Sequence, residues 1–456
     1  MGKILNYLKK TNIQIPISVG KSLARINFSY RPGIGSLYEE NKINIENYSK
    51  FTETEKEKFI FEKFQKIFLH AYHNVPFYKD LYQNKYNINV SDINEFKDIV
   101  KLPIIKKSDL LNTSLENRSY NLKNRLLVNT GGSSGKTFSF YMDPLRYGSE
   151  WAHIHNMWGR LNYTPKDLKI IFDARANSKT PVRYDFVRNS LAVNIFEDKN
   201  ITCKALLRIS RKHKISYLHG YPSAIFEFAI FCLEFQPELL KKLQRTLKGA
   251  FLSSEYPSPH FRKPIEEIFK IKTQSFYGHT ETCVLAVETK PNLYNAFQTY
   301  GHAEAVKQKN DKSHLIGTSY NNFASPLIRY DTEDVIEVVS KPTNILEDFY
   351  ITEGRKGDFI LDKNLNRVSL TGLIFGRHHE IFDKCSHIQI FQEQAGKAKV
   401  FYITASDLTD ELARKYFNSD GVEIDFDFKK LKSPIKSKSG KAGLLLNHDP
   451  NLFHDK

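Results

Sequence analysis

Short apolar runs alternate with helix-length stretches through the middle of the chain, and this alternation constrains the fold more than any other feature. The apolar runs cover residues 168–172, 216–219 and 249–253, and the helical stretches cover 223–235 and 258–269. Short strands separated by helices are typical of α/β domains with a largely buried sheet. The sequence therefore predicts an α/β fold whose ligands bind in the loops after the strands.

Polar side chains occupy those loops. The loops read Gly220-Tyr-Pro-Ser223, Ser253-Ser254-Glu255 and Tyr277-Gly278-His279-Thr280-Glu281. In the last one, an aromatic ring and a flexible glycine precede a hydroxyl and a carboxylate. A nucleotide–Mg²⁺ site needs a stacking surface, backbone room, a phosphate donor and a hard oxygen ligand, which these residue types supply. The alternative is a strand end with a buried glutamate paired to a lysine.

A loop rich in glycine and small hydroxyls follows the apolar run 126–128. It consists of Thr130, Gly131, Gly132, Ser133, Ser134, Gly135 and Lys136. Glycine lets the backbone approach a ligand closely, so the N–H groups, the hydroxyls and the lysine can contact phosphate oxygens. A Walker A loop continues into a helix, whereas the alternation from Phe138 to Tyr141 predicts a strand. We therefore predict a phosphate-binding loop of another type, with an ordinary hairpin turn as the alternative.

The composition indicates a packed core in a reducing compartment. The chain has 456 residues, of which 41% are hydrophobic, which suits two or three domains. Its four cysteines match no metal-ligand spacing, so free thiols are expected rather than disulfides or a zinc site. No segment reaches the roughly 20 apolar residues that a membrane span needs. Cytoplasmic localisation without stable membrane insertion is predicted.

The net charge of +16 raises the question of an anionic partner. Lysines are scattered among acidic residues along the whole chain, which favours a solvated basic surface. One run, 429–441, holds six lysines in thirteen residues. A nucleic-acid-binding segment would interleave stacking aromatics with these lysines, and this run has none. No nucleic-acid partner is therefore predicted.

Five motifs resemble those of the adenylate-forming enzymes, a superfamily of acyl-CoA synthetases, peptide-synthetase adenylation domains and luciferases. They are the loop 130–136, Tyr277-Gly-His-Thr-Glu281, Arg329-Tyr-Asp-Thr-Glu-Asp334, Gly354-Arg-Lys-Gly-Asp-Phe-Ile360 and Lys438-Ser-Gly-Lys441, and they occur in the order of that superfamily. Val75-Pro-Phe-Tyr78 and Leu102-Pro-Ile-Ile-Lys-Lys107 are similar to the phenylacetate-CoA ligase family. Within it, the chain resembles most the capsular polysaccharide biosynthesis (CapK-like) branch.

The resemblance implies a role for the first two motifs. The loop 130–136 would bind the phosphates of ATP, and Glu281 would hold Mg²⁺. Thr280 would contact the α-phosphate, and Tyr277 would flank the adenine. Ser254, Glu255 and Gly278 are predicted to complete the nucleotide site.

The later motifs would act on the ribose and on the reacting phosphate. An acceptor-only carboxylate suits a vicinal diol, so Asp334 is predicted to bind both ribose hydroxyls. Arg355 would reach ribose or phosphate, and Gly357 would serve as a hinge. Lys441 would enter the active site during adenylation and offset the charge that develops there. With Thr280 and Glu281, Lys441 makes up the predicted catalytic set.

The resemblance also implies the domain organisation. Residues 1–353 would form a large adenylate-forming domain with mostly parallel sheets flanked by helices, which binds ATP and the carboxylate. Residues 354–357 would form the hinge, and residues 358–456 a small mobile α+β lid. A boundary near 354–357 also fits the fresh pattern of strands and a helix that follows it.

The implied function is ATP-dependent adenylation of a carboxylic acid, followed by acyl transfer to a nucleophile. Coenzyme A is the favoured acceptor, and a role in surface polysaccharide synthesis is implied by the branch. Two alternatives stay open: a ligase that acts directly on an amine of a sugar or amino acid, and an inactive nucleotide-binding protein. The chain departs from the superfamily at Glu333, where glycine is usual, and at Thr137, where proline is usual. The oligomeric state, a homodimer included, also stays open.

Overall fold

The structure is a computed structural model of the chain. It describes residues 15–129, 138–173, 180–195, 197–307, 313–339, 344–353, 359–374, 379–436, 442–446 and 449. Its contacts divide the chain into two units. Unit 1 comprises Met1–Leu168, Tyr184–Ser190 and Gln274–Ile351, and unit 2 comprises Lys169–Arg183, Leu191–Thr273 and Thr352–Lys456. The predicted hinge lies outside the described residues, and the division into 1–353 and 358–456 stays a prediction.

The three strands and two helices predicted in the middle of the chain are confirmed, with bounds shifted by at most one residue. The helices are α1 (Ile17–Leu23), α2 (Leu37–Tyr48), α3 (Glu53–Asn74), α4 (Pro76–Lys79), α5 (Lys107–Leu111), α6 (Arg146–Gly159), α7 (Lys199–Lys212), α8 (Pro222–Phe235), α9 (Pro237–Thr246), α10 (Pro259–Phe269), α11 (Leu370–Ile374) and α12 (Asp410–Tyr416). The strands are β1 (Leu126–Asn129), β2 (Ser139–Met142), β3 (Lys169–Asp173), β4 (Val182–Asp185), β5 (Ser190–Asn194), β6 (Tyr217–Gly220), β7 (Gly249–Leu252), β8 (Lys272–Gly278), β9 (Leu285–Lys290), β10 (Leu293–Ala296), β11 (Gly301–Lys307), β12 (Ser313–Ser319), β13 (Tyr330–Val338), β14 (Asp348–Glu353), β15 (Phe359–Leu361), β16 (Arg367–Ser369), β17 (His387–Gln394), β18 (Lys397–Ile403) and β19 (Asp425–Leu431).

Helix α3 begins at a capping box. The backbone N–H of Glu55 donates to the Thr52 hydroxyl over 3.4 Å, and the backbone N–H of Thr52 donates to the Glu55 carboxylate over 2.8 Å. This exchange satisfies two N–H groups that a helix start leaves open, and an N-cap contributes about 1 kcal/mol. Phe64 and Phe68, one turn apart, are fully buried. Such spacing is that of an amphipathic helix with one face in the core.

Unit 1 contains a sheet in the order β11-β12-β13-β14-β10-β9-β8. The pairs β11–β12, β12–β13, β10–β14, β9–β10 and β8–β9 are antiparallel. Its core combines one face of α3 with side chains of β2, β11, β12 and β13. Members of this core include Phe64, Phe68, Phe138, Phe140, Ala303, Leu315, Tyr330 and Ile336.

The two N-terminal motifs, at residues 75–78 and 102–107, form hydrogen bonds with the chain that leads into β13. The buried Tyr78 hydroxyl donates to the Pro326 carbonyl over 2.8 Å and accepts the Ile328 N–H over 3.2 Å. The Arg329 guanidinium donates to the Val100 carbonyl over 2.9 Å and also to the Leu102 carbonyl. Ile105 also pairs with this stretch of backbone. Its N–H donates to the Arg329 carbonyl, and its carbonyl accepts the Asp331 N–H, each over 2.9 Å. The N-terminal region therefore fixes the start of the strand that carries Asp334.

Unit 2 contains the parallel strands β3, β6 and β7, with α8 against β3 and β6. Its C-terminal part has a small sheet in which β17–β18 is antiparallel and β18–β19 is parallel, with α12 on β19. This part has its own buried core. The predicted α/β class and the small α+β part are confirmed. The parallel pairing expected for the large part holds for β3, β6 and β7, whereas the strand pairs of the unit 1 sheet given above are antiparallel.

Two predictions from composition can be compared with the structure. All four cysteines are buried free thiols, as expected. Among the helices of the described ranges, none combines the length and apolarity that crossing a bilayer requires.

Candidate functional site

Tyr277 and Asp334, predicted separately as adenine and ribose contacts, meet in unit 1. Tyr277 lies near the end of β8 and Asp334 lies in β13, 57 residues later, and the Tyr277 hydroxyl donates a hydrogen bond to the Asp334 carboxylate. The Asp334 side chain is buried. A buried carboxylate is stable only with partners for its oxygens, and the phenol supplies one of them. The fold thus places an acceptor-only group beside an aromatic ring, as a nucleoside site requires.

The residue before Asp334 has a left-handed backbone. Glu333 has φ +65°, in the region that favours glycine. Between β12 and β13 the register shifts, because His314 pairs with Val335 whereas Ile316 pairs with Asp331. An insertion of this kind is a β-bulge, in which one residue often adopts the left-handed conformation.

Side-chain oxygens stabilise the bulge from both sides. The Asp331 carboxylate accepts the Glu333 N–H over 2.8 Å, and the Thr332 hydroxyl accepts the Asp334 N–H over 3.3 Å. His314 contacts the other oxygen of Asp331 over 3.1 Å. The side chains of Asp331 and Thr332 therefore hold a left-handed turn at Glu333.

Glu281 lies in the loop after β8 and is oriented by a histidine. The backbone N–H of Val284 donates to Nε2 of His279 over 3.3 Å, so Nε2 is unprotonated and Nδ1 carries the proton. Nδ1 in turn lies 3.2 Å from the Glu281 carboxylate, to which it donates. The two side chains are 4% and 7% exposed, so the contact is shielded from water. Thr280, in the same loop, and Gly278, the last residue of β8, are exposed.

Two glycines of the neighbouring strands allow this loop to pack closely. A Cβ at Gly301 in β11 would lie 2.1 Å from the Cys283 carbonyl oxygen. One at Gly317 in β12 would lie 2.5 Å from the Cys283 Cβ. Both positions therefore require glycine, because a side chain there would displace the loop that carries Glu281.

Ser254 and Glu255 lie in unit 2, after β7. Ser254 has φ +68°, a left-handed conformation in the turn that directs Glu255. The Glu255 carboxylate accepts the backbone N–H and the hydroxyl of Ser223, each over 3.1 Å, at the N-terminal turn of α8. An anionic group at a helix N-terminus is stabilised by the unpaired N–H groups there. The same carboxylate accepts the Ala442 N–H over 3.3 Å, and its predicted part in nucleotide binding stays a prediction.

Comparison with known proteins gives a consistent picture. No protein-family model matches the chain. It is 21% identical over 409 residues to Protein CapK of Staphylococcus aureus, covering 85% of this chain and 88% of CapK. It superposes on 2-hydroxyisobutyryl-CoA ligase in the postadenylation state with a TM-score of 0.63 and 15% identity, covering 88% of this chain and 90% of the ligase. It superposes on the acyl acid amido synthetase AtGH3.15 with a TM-score of 0.57 and 10% identity, covering 81% of each chain.

The chain is similar to CapK in sequence and shares the fold of these two ligases. The predicted resemblance and fold class are thereby confirmed. The predicted site residues that the structure describes are divided between the two units. Unit 1 holds Tyr277, Gly278, Thr280, Glu281 and Asp334, and unit 2 holds Ser254 and Glu255.

The remaining predicted site residues lie outside the described part of the chain. They are Thr130, Gly131, Gly132, Ser133, Ser134, Gly135, Lys136, Arg355 and Lys441. Their roles stay predictions. The strand predicted after the loop 130–136 is confirmed as β2, which pairs antiparallel with β1.

One residue of the site was missed from the sequence. His279 occupies the variable position of the Tyr-Gly-x-Thr-Glu motif, and only its placement two residues before the carboxylate signalled a role. Within the described ranges, no three His, Cys, Asp or Glu side chains cluster as a metal site would require.

A cleft of about 950 Å³ lies elsewhere in unit 1, lined by residues that include Phe61, Phe96, His302 and Arg329. None of the predicted site residues that the structure describes lines this cleft. Its buried guanidinium is already paired, because Arg329 lies 3.0 Å from Glu304.

Proposed function

We propose that this protein is an ATP-dependent enzyme that joins a carboxylic acid to AMP, releases pyrophosphate and then passes the acyl group to a nucleophile. The observation that carries the proposal is the contact between Tyr277 and Asp334. Each of these residues was predicted from its own motif to bind a different part of the nucleoside. Two unrelated side chains 57 residues apart would not be expected to meet by chance. The likeness in fold to a CoA ligase and to an acyl acid amido synthetase supports the same reaction class.

Asp334 has the chemistry of a ribose ligand. Its carboxylate only accepts hydrogen bonds, and the Tyr277 phenol occupies one of its oxygens. A vicinal diol donates two hydrogen bonds, and a carboxylate can accept both. Because the group is buried, those bonds would form with little competition from water.

Glu281 fits the predicted Mg²⁺ site. Mg²⁺ in nucleotide sites is held by one or two carboxylates together with phosphate oxygens and water, so a cluster of three protein ligands is not required. When bound, the ion neutralises charge on the phosphates. Glu281 would supply an oxygen ligand, and His279 holds that carboxylate in one orientation.

The acyl acceptor is proposed to be the thiol of coenzyme A. An amine remains the alternative, because the structural relatives include ligases of both kinds. Lys441 is proposed to stabilise the charge that develops during adenylation. A role in surface polysaccharide synthesis rests on the CapK resemblance and stays part of the proposal.

The experiment is pyrophosphate release from ATP with a panel of carboxylic acids, for the wild-type protein and for Glu281→Gln. This change removes the charge at constant volume, so we expect the rate to fall by about two to three orders of magnitude, the scale for a group that stabilises transition-state charge. Glu337→Gln, an exposed carboxylate near the end of β13, is the matched control and should retain the wild-type rate. Near-wild-type release by Glu281→Gln would overturn the assignment of this residue.

The panel also decides the class of protein. ATP binding without pyrophosphate release for any acid would support the inactive nucleotide-binding alternative. For an active acid, adding coenzyme A or a set of amines after adenylate formation identifies the acceptor by the mass of the product.

A further inference from the structure

Helix α7 in unit 2 has one buried side and one basic side. The buried positions are Thr202, Cys203 and Leu206. Exposed residues recur on the other side at steps of three and four residues, and they are Ile201, Lys204, Arg208 and Lys212. Residues with this spacing share one face of a helix. Helix α7 therefore presents a row of positive charges to solvent, with an apolar side chain at its start.

Helix α9 extends this positive surface. Its buried positions are Leu239, Leu240 and Leu243, whereas Lys241 and Arg245, one turn apart, are exposed. Helix α9 packs against α7, and Arg211 of α7 lies 3.1 Å from Glu238 of α9. This ion pair joins the outward sides of the two helices. We call the six exposed side chains on these sides the basic face, and they are Lys204, Arg208, Arg211, Lys212, Lys241 and Arg245.

Acidic neighbours do not balance the charge of the basic face. Within α7 and α9 the sequence has one acidic residue, Glu238, and it pairs with Arg211. Asp198, just before α7, accepts the backbone N–H groups of Asn200 and Ile201 as an N-cap. An excess of like charge on one surface attracts an anionic partner.

Exposed apolar side chains lie at one end of the basic face. The Gln236 amide donates to the Asn200 side-chain oxygen over 3.2 Å, which joins the end of α8 to the start of α7. Phe235 precedes Gln236 and is 61% exposed, and Ile201 follows Asn200 and is 49% exposed. The Phe235 ring contacts that of Phe231, with centres 5.1 Å apart. Apolar groups exposed together in this way mark an interaction surface.

An anionic membrane surface fits this combination of charge and apolar side chains. Lysine and arginine are attracted to its headgroups, while neighbouring apolar side chains enter the boundary with the acyl chains. A nucleic acid would instead need aromatic rings among the basic side chains for base stacking. Neither α7 nor α9 contains an aromatic residue. The position of Phe235, at the end of the face rather than within it, therefore favours a lipid surface.

We propose that the basic face, with Ile201 and Phe235 at its end, docks the protein on an anionic lipid surface. The docking is peripheral, because the opposite sides of α7 and α9 are buried in unit 2. Lysines and arginines contact the headgroups, and Phe235 enters the interface. This role is independent of the proposed adenylation and goes beyond it.

Sedimentation of the full-length protein with lipid vesicles tests the docking. Phosphatidylcholine vesicles that contain about one third phosphatidylserine should bind the protein, whereas pure phosphatidylcholine vesicles should not, because the attraction depends on lipid charge. Binding should weaken as the salt concentration rises, since salt screens exposed charges. Equal binding to both kinds of vesicle, or no binding to the anionic ones, would overturn the proposal.

Charge variants locate the docking face. Lys204→Gln combined with Arg208→Gln should weaken binding to the anionic vesicles by about 20- to 30-fold, because each charge near such a surface contributes about fivefold. Lys415→Gln combined with Lys432→Gln removes two exposed charges from the C-terminal part of unit 2. This matched control should change the affinity by less than about twofold. An equal loss in the two double variants would mean that net charge, and not the basic face, determines binding.

A fluorescent label shows whether residue 235 enters the lipid. Phe235→Cys labelled with an environment-sensitive dye should shift its emission to the blue on anionic vesicles, whereas the same dye at Lys415→Cys should not. The native thiols are buried and should not be labelled. Phe235→Ser should weaken binding by about five- to tenfold, and Phe235→Leu should retain most of it, because the contribution is apolar area. An unchanged emission at residue 235 would contradict the proposed orientation of the face.

Two further measurements separate this proposal from its rivals. If single-stranded RNA binds more tightly than the anionic vesicles and leaves the emission at residue 235 unchanged, the face belongs to a nucleic acid and the lipid proposal is wrong. Pyrophosphate release without vesicles should be the same for Lys204→Gln with Arg208→Gln as for the wild type. If no acid supports release by the wild-type protein, the proposed function fails but vesicle binding still decides the docking. If release is normal and no vesicle binds, only the docking is wrong.

Discussion

The left-handed conformation of Glu333 gives a prediction in which backbone strain and charge can be separated. Glu333 has φ +65°, and an L-residue in that region costs about 1–2 kcal/mol. Glycine avoids this cost but loses more freedom on folding, by about 0.5–1 kcal/mol. The difference leaves a net gain of about 0.5–1 kcal/mol for glycine. Alanine removes the same charge but keeps Cβ, so it keeps the strain.

We therefore expect Glu333→Gly to be more stable than Glu333→Ala by about 0.5–1 kcal/mol in the free energy of unfolding. Urea denaturation followed by tryptophan fluorescence is the assay, because Trp151 and Trp158 both lie in unit 1 with Glu333. Equal slopes of the two transitions would show that the same surface unfolds. Both variants remove the same charge beside Asp334, so they should have the same affinity for ATP.

Refutation is direct. If Glu333→Ala is as stable as Glu333→Gly or more so, residue 333 does not have a left-handed backbone in solution, and the bulge before Asp334 is wrong. If the two variants differ in ATP affinity, the backbone of the bulge, rather than the charge, controls the ribose site.

Two further predictions concern the reaction. Asp334→Asn keeps the volume but loses the anionic acceptor, so ATP affinity measured by calorimetry should fall about tenfold or more, the scale for hydrogen bonds to a charged group; unchanged affinity would remove Asp334 from the ribose site. Lys441→Ala should slow acyl-adenylate formation by about two to three orders of magnitude but leave acyl transfer from a synthetic acyl-adenylate unaffected. An equal loss in both half-reactions would mean that Lys441 has a structural role.

Features that depend on a local residue pattern, such as single helices and the ends of strands, could be predicted from the sequence. Helix α8, for example, was expected over residues 223–235 and is observed at Pro222–Phe235. Hydrophobic periodicity and a proline at the helix start are contained in the segment itself. The loops after β7 and β8 were identified in the same way, because strand ends can be located from the apolar runs. The order of motifs then pointed to the right fold.

The sequence could not give the partners of polar side chains across the fold. The partner of Glu227 could not be predicted, because Lys436 is 209 residues away and nothing in the lysine run 429–441 distinguishes one lysine from another. The Gln389 amide likewise bonds to Ile435 and Gly443, which lie 46 and 54 residues further along the chain. Such pairings are set by strand order and register, which local periodicity does not determine.

Glu333 is a different case. The sequence showed a charged residue in place of glycine, and this left the conformation of the turn open. In the structure, the side chains of Asp331 and Thr332 hold the turn, because they accept the backbone N–H groups of Glu333 and Asp334. Propensity alone would have predicted a changed turn, but the neighbouring hydrogen bonds and the pairing with β12 override it.

The hydrogen bonds of Tyr78 and Arg329 couple the N-terminal segment to the start of β13, so the two parts must be compatible with each other. A chimaera that takes residues 1–111 from a distant relative would need a phenol that contacts Pro326 and Ile328. It would also need two carbonyls, like those of Val100 and Leu102, that accept from the Arg329 guanidinium. A mismatch would leave buried donors without acceptors. Residues 1–111 and β13 should therefore be exchanged together.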